Sequence, residues 1–475
     1  MTTPLKIYLL DPKKLSPEVI AVTFAKTSRS PQSFQEIADE LTDEKSAEFN
    51  EKWVVGYGHA SVAEHAVLHI AVENLSRLAV EALESSRLAS YTEKSTRYQK
   101  WGSNSFHLPA ELDEYPNLKN AYLDTSQMLF EAYLRSLPKV QEVVAQEMPR
   151  GTEESQSTWE RRTRTEYVDV CRFFLPACAF ANVGVTINAR NLEHSLAKLL
   201  SHPLAEVRTL GAEMKQIAAA ELPTLIKYAN PQPYLQKSRQ QLHDQAMAIP
   251  VQAAPTDWCT LLDYNPHGDE TILAAALFRF GNMPFPVALQ TVQSASPQER
   301  SRMVEALMGG LGSFDIPLRE LEYASFTFDV VLDQGAFLEL KRHRMMTLTP
   351  QRLTPDNGYA LPRRMAAAGL EAEFRHSMQA AAQTYQQIAA ELPEVAAYVL
   401  PNAFNRRALL QMNFRTAYHF LRLRSATNAH FSMRRVARRM AEQIQNVSPL
   451  LGSRLELDPC ETWQSIQADY FNTWK

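Results

Sequence analysis

Residues 85–98, SSRLASYTEKSTRY, and residues 341–355, KRHRMMTLTPQRLTP, stand at matching points of two similar halves, and setting one against the other decides the fold. Each follows a segment that reads as a strand running into a helix. The first strand is residues 67–72; the second is residues 326–330, where Phe326, Phe328 and Val330 alternate with polar Ser325, Thr327 and Asp329. Leu75, Leu78, Ala79 and Ala82 then recur at helical spacing. Upstream, each half opens on a strand-like segment ending in Leu-Leu-Asp (Leu9, Leu10, Asp11 and Leu261, Leu262, Asp263), followed by a helical run over 18–28 and 270–280. Downstream, each half reaches a Leu-Pro pair (Leu175-Pro176 and Leu400-Pro401) and a polar helix, NARNLEH (188–194) and NFRTAYH (413–419). The same order met twice is an internal repeat. Between the halves, QKSRQQLHDQAMAIPVQAAPTDW (236–258) lacks apolar periodicity and predicts a linker, leaving domains over 1–235 and 259–475. Strands mixed with helices in each half predict an α+β fold.

A chain of 475 residues, 45% apolar and 21% charged, exceeds one hydrophobic core. A net charge of -4 argues against general attraction to nucleic acid or anionic lipid, so a phosphate ligand must be caught by local groups. Cys171, Cys178, Cys259 and Cys460 show no CxxC spacing, which fits neither a disulfide framework nor a cysteine zinc site and predicts a reducing, cytosolic setting. No apolar run reaches membrane-spanning length. His59, Glu64 and His65 lack the HExxH spacing of a zinc hydrolase, so no metal is expected. Arg434, Arg435, Arg438 and Arg439 form a basic helical face, expected to be solvated or to meet acidic neighbours more readily than nucleic acid. Cys171 reads as core.

The first half resembles the flavin-dependent thymidylate synthase family at GHASVAEHA (58–66), and onward through LSR (75–77) to the tail of the family's RHRxxxxxxxS signature. Arg87, Ser90, Glu93, Ser95, Arg97 and Tyr98 fit that signature, while Ser85 and Ser86 replace its first Arg and His. The second half is the reverse. Arg342, His343 and Arg344 restore RHR, but Thr347, Pro350, Arg352 and Thr354 break the tail, and of the GHxSxxEH motif only Glu322 survives, with Pro317 at the histidine position. After Leu400-Pro401 the second half resembles the family's C-terminal helices, including Arg424, where the first half has Leu199. The family arginine four residues before the LP proline is Arg172 in the first half and Ala397 in the second.

The losses are complementary, and they predict one composite site with labour divided between the copies. By resemblance, the nucleotide is bound by Glu93, Ser95, Thr96, Arg97, Arg172, Glu339, Arg342 and Arg424, with Arg424 the catalytic group at the pyrimidine. FAD is bound by Ser28, His59, Ser61, Glu64, Arg342, His343, Arg344, Asn413, Arg415 and His419. The implied reaction is reductive methylation of a uridine monophosphate, dUMP to dTMP, with NADPH and methylenetetrahydrofolate as co-substrates. These residue types suit it: a phosphate dianion needs forked cations, which Arg97, Arg172 and Arg342 offer with Ser95 beside them, and a carboxylate such as Glu93 accepts from a ribose hydroxyl. The family's sites are built where subunits of a homotetramer meet, so two fused chains are expected to pair as a homodimer. The competing expectations are an inactive scaffold that keeps flavin or nucleotide binding, and a one-carbon transferase acting on another uridine nucleotide.

Overall fold

The computed structural model describes residues 5–56, 59–97, 99, 101–250, 257–455 and 457–474. Tyr98 and Gly58 of the motifs lie outside them. The chain forms two compact units that do not follow the sequence halves: one holds 1–94, 106–116 and 178–252, the other 95–105, 117–177 and 253–475.

The first unit is built on an antiparallel sheet of β1 (Val67–Ser76), β2 (Ala89–Glu93) and β3 (Phe180–Asn188), ordered β1-β3-β2. The second contains β4 (Cys259–Tyr264), β5 (Ser325–Asp333), β6 (Thr347–Pro350), β7 (Ala360–Pro362), β8 (Asn405–Asn413) and β9 (Phe471–Trp474). Its larger sheet runs β4-β5-β8-β6, and β7 pairs with β9. The two sheets share a plan and a register. The first residue of the strand beside each central strand faces the last residue of that central strand: Val67 opposite Asn188, and Ser325 opposite Asn413.

Alternation drives these strands. Ala181, Val183, Val185 and Ile187 of β3, and Ala408, Leu410 and Met412 of β8, are buried at every second position, the period expected of strands with one packed face. In the second unit that face meets the helix Phe431–Val447, whose Val436, Ala437, Met440 and Ile444 join Phe328 and Phe337 in the core. Each central strand ends on an asparagine that caps the next helix. Asn188 Oδ1 accepts from the Asn191 amide before Ala189–Leu200, and Asn413 Oδ1 accepts from the Thr416 amide, 2.8 Å, before Phe414–Arg424.

One expectation needs correction. The segment before Asp11 forms no strand among the described residues; Leu5, Ile7 and Leu9 are exposed there, whereas its counterpart β4 pairs along β5. Among the described strands β1, the counterpart of β5, pairs only with β3. The stretch expected to be a linker begins in a helix, Pro233–Met247, with no buried residue. Its Gln, Lys, Arg and Leu content supports a helix by intrinsic propensity while burying no face, so apolar periodicity gave no signal. The basic face meets acidic neighbours, one of the two settings expected for it, and most of it is buried. Arg434, Arg435 and Arg438 are buried, Arg434 and Arg438 lie 3.4 and 3.6 Å from Glu461, and Arg435 packs 3.9 Å from the Trp258 ring centroid. No helix among the described residues is long and apolar enough to cross a membrane.

Candidate functional site

The two Leu-Pro segments lie side by side within the second unit. Pro176 and Pro401 form an antiparallel bridge, the Asn402 amide donates to the Leu175 carbonyl at 2.9 Å, and the Ala177 amide donates to the Leu400 carbonyl at 2.9 Å. Asn402 Nδ2 also donates to the Arg172 carbonyl, 3.0 Å. This pairing fixes Arg172, at the end of the helix Gln156–Cys171, beside residues of the second copy.

A largely buried network grows from it. Arg172 Nη1 donates to Thr96 Oγ1 at 2.9 Å; its Nε lies 3.7 Å from Asp169, and its Nη2 lies 3.6 Å from Glu339 Oε1. Arg97 holds Asp169 through both Nε (2.9 and 3.0 Å) and Nη2 (2.7 Å), while its Nη1 donates to the Asn428 carbonyl at 3.0 Å. Glu339, on the helix Gln334–Leu340, accepts from Arg424 Nη1 at 2.9 Å. Arg424, at the end of Phe414–Arg424, donates its Nε–H to His343 Nε2 at 2.8 Å. The first copy therefore supplies Ser95, Thr96, Arg97, Asp169 and Arg172, and the second supplies Glu339, His343 and Arg424, to one network inside one unit.

Electrostatics follow from the burial. Asp169 is pushed above the ordinary carboxyl range by desolvation, against the pull of Arg172 and Arg97. Burial, and then the adjacent Arg424 charge, takes the His343 imidazole down to about 3, so the ring is neutral at physiological pH and accepts at Nε2. Desolvation also lowers Arg424, opposed by Glu339. Arg172 Nη2 and Glu339 Oε1 are buried without a hydrogen-bond partner, a donor and an acceptor facing one another at more than hydrogen-bond distance.

The remaining residues divide between the units. Ser95 Oγ accepts from the Arg97 amide at 3.2 Å, ordering the turn that aims Arg97. Glu93 belongs to the first unit and is engaged there by Arg77 in a buried ion pair, so its carboxylate is directed at a protein partner. Arg342 and Arg344 sit in the turn between Gln334–Leu340 and β6, with Arg342 exposed. Asn413 Oδ1 is taken by its helix cap. Arg415 is held by Glu322 at 2.7 Å and by the Pro317 carbonyl at 3.0 Å, and His419 is exposed.

Ser28, His59, Ser61 and Glu64 come together in the first unit, around a cleft of about 720 Å³. Trp53, on the π-helical turn Asn50–Gly56, stacks against the His59 ring with centroids 6.0 Å apart, and the Arg29 guanidinium lies 4.4 Å from its ring centroid. Arg190 pairs with Glu64 at the rim. Flat rings beside hydroxyl and imidazole groups suit a planar ligand with a polar edge.

Comparison with known proteins bears on this arrangement. The model for thymidylate synthase complementing protein matches the chain twice, over residues 10–224 and 260–450. The chain belongs to the thymidylate synthase complementing protein family. A protein of Chlamydia muridarum named UPF0159 is 31% identical over 441 residues, 89% of this chain and 83% of its own length. One of the same name from Thermoplasma acidophilum is 25% identical over 448 residues, 87% of this chain and 89% of its own length. The flavin-dependent thymidylate synthase of Clostridium tetani is 27% identical over 218 residues, 46% of this chain and 83% of its own length. Single-copy and double-length relatives thus both align with this member of the family.

Sequence reading missed Asp169, although an acid three residues before an arginine on one helix is a readable pairing signal. It also missed Trp53 and Arg29, which carry no motif spacing.

Proposed function

We propose that this protein is a flavin-dependent enzyme catalysing reductive methylation of a uridine monophosphate, with dUMP as substrate, at a site whose parts are divided between the two copies. The observation that carries this reading is the meeting of Arg97 and Arg172 from the first copy with Glu339, His343 and Arg424 from the second in one network. The phosphate falls to Ser95, Thr96, Arg97, Arg172 and Arg342, which offer hydroxyls and guanidinium forks. Glu93 takes the ribose edge on this reading, provided it leaves Arg77.

Arg424 is assigned to the pyrimidine. Its guanidinium is held in place by Glu339 and His343, and a fixed, permanently charged fork beside the ring stabilises negative charge on N3 and the flanking oxygens. Because the His343 Nε2 accepts from Arg424, its proton sits on Nδ1, leaving that N–H as a donor. The residues fit a flavin: the cleft of Ser28, His59, Ser61 and Glu64 in the first unit suits a planar ring with a polar edge, and the second unit offers Arg342, His343, Arg344, Asn413, Arg415 and His419 as donors, Arg415 and Asn413 with part of their capacity already used. FAD, when bound, supplies the hydride. NADPH and methylenetetrahydrofolate are the co-substrates on this reading, cytoplasm the setting, and a homodimer the working assembly.

One observation favours a second reading, a binding scaffold without turnover: Arg97 and Arg172 are already neutralised by Asp169 and Glu339. A single experiment separates the two. The purified protein is incubated with FAD, its absorbance recorded, and its products analysed with dUMP, methylenetetrahydrofolate and NADPH. Bound flavin and dTMP are expected; flavin without product supports the scaffold, and a protein that takes up no FAD contradicts both.

A further inference from the structure

The repeat places a second cleft in the chain, at the position in the second copy that corresponds to the Ser28–His59–Ser61–Glu64 cleft of the first. It measures about 560 Å³ and is lined by Arg279, Arg319, Glu320, Glu322 and Tyr323. Aligned through the repeat, Arg279 stands for Thr27, Phe280 for Ser28, Pro317 for His59, Arg319 for Ser61 and Glu322 for Glu64. Only the last of these keeps its residue type.

The substitutions close the cleft's chemistry upon itself. Arg279 pairs with Glu320 at 2.9 Å, Arg319 approaches Glu322 at 3.5 Å, and Arg415 takes the other side of Glu322 at 2.7 Å. Pro317 has no side-chain polar atom, and its carbonyl is spent on Arg415 Nε at 3.0 Å. Phe280 points an apolar ring, 69% exposed, where Ser28 carries a hydroxyl. In the first copy Glu64 is likewise paired, with Arg190, but there His59 stacks on Trp53 with its ring at the cleft wall, and Ser28 and Ser61 line the cleft. The other half of the site is lost in parallel, because the RHR that stands in the second copy reads Ser85, Ser86 and Arg87 in the first.

Resting on the flavin reading above, we infer that each chain carries one flavin-binding cleft, that of the first copy, and that the second copy's cleft has lost the groups that would hold a flavin. A flavin entering that cleft would meet arginines already paired with Glu320 and Glu322 and would find neither imidazole nor serine hydroxyl. The fused chain therefore binds half as many flavins as it has domains.

Flavin stoichiometry tests this without any assay of turnover. The full chain is saturated with FAD, unbound cofactor is removed, and flavin released by denaturation is measured against protein concentration. One FAD per chain is expected. Two per chain overturns the inference and leaves the flavin reading standing; none overturns the inference together with that reading. Two variants locate the cleft. Ser61→Arg, which copies the second copy's residue onto an exposed position, is expected to weaken FAD uptake by about tenfold or more, the scale of a blocked polar contact. Arg319→Ala is expected to leave the titration unchanged. If Arg319→Ala abolishes uptake while Ser61→Arg does not, the cleft has been placed in the wrong copy.

Discussion

Glu64 and Glu322 occupy equivalent positions in the two copies, each engaged by the arginine two residues beyond a helix-capping asparagine: Arg190 after Asn188, and Arg415 after Asn413. Around these matching pairs everything chemical has diverged. The first copy keeps an imidazole and a serine in its cleft and sends Arg97 and Arg172 into the second unit; the second copy fills its cleft with ion pairs and keeps RHR and Arg424. The sheets differ far less: β1-β3-β2 and β5-β8-β6 follow one order, with β4 added in the second, and their pairing matches from the asparagine ends as far as the shift after Val72. After a duplication, packing must be satisfied in every copy, because each sheet needs its own buried face. A binding site needs each group only once, so either copy can shed what the other supplies.

The largest effects are expected where the two contributions touch. Arg424→Ala is expected to lower turnover by about a hundredfold to a thousandfold, roughly 3 to 4 kcal/mol, while flavin absorbance is retained, because the proposed role of the guanidinium is to stabilise the developing charge on the substrate. Near-normal turnover would place the pyrimidine elsewhere. Arg172→Ala leaves Asp169 and Glu339 buried without one of their cations and is expected to destabilise the second unit by about 3 to 5 kcal/mol in thermal or denaturant unfolding. Arg352→Ala, in the broken signature tail, removes only the partly exposed pair with Glu394 and is expected to cost roughly 1 kcal/mol or less. Equal losses in the two variants would contradict the asymmetry.

A smaller effect separates the units by pH. Burial takes His343 in the second unit down to about 3, and His202 in the first down to about 4, from the ordinary 6.5. In the unfolded chain these rings protonate near pH 6.5, so the folded state binds fewer protons below it. Their contribution is therefore fully present above pH 6.5 and is lost as pH falls, by about 1.4 kcal/mol per pH unit for each ring until its folded value is reached. Unfolding followed from pH 7 to pH 4.5 is expected to show falling stability, with a shallower slope in His202→Gln. An unchanged slope would mean that His202 is not held neutral.

The copies' plan was legible because it is periodic: strand alternation, the Leu-Pro pairs and the Asn-Arg-His spacing are all local patterns, and each appears where it was read. That the two copies contribute to one side-chain network was legible as a set of complementary losses, but not the network's interior. That Asp169 grips Arg97, or that Glu93 turns to Arg77, depends on which side chains long-range packing brings together. Which acid the Arg434–Arg439 face meets was hidden for the same reason, since its partners Glu461 and Trp258 lie elsewhere in the chain.

The division of labour itself is tested most directly by calorimetric titration of dUMP into the flavin-loaded protein and two variants. The first joins Ser95→Ala to Arg97→Ala in the first copy, and the second is Arg352→Ala, at the second copy's counterpart of Ser95. Loss of dUMP binding in the first, with the second close to the unaltered protein, is the expected result. Loss of binding in Arg352→Ala, with the double variant still binding dUMP, would contradict the account, because the working nucleotide site would then lie in the copy whose signature is broken there.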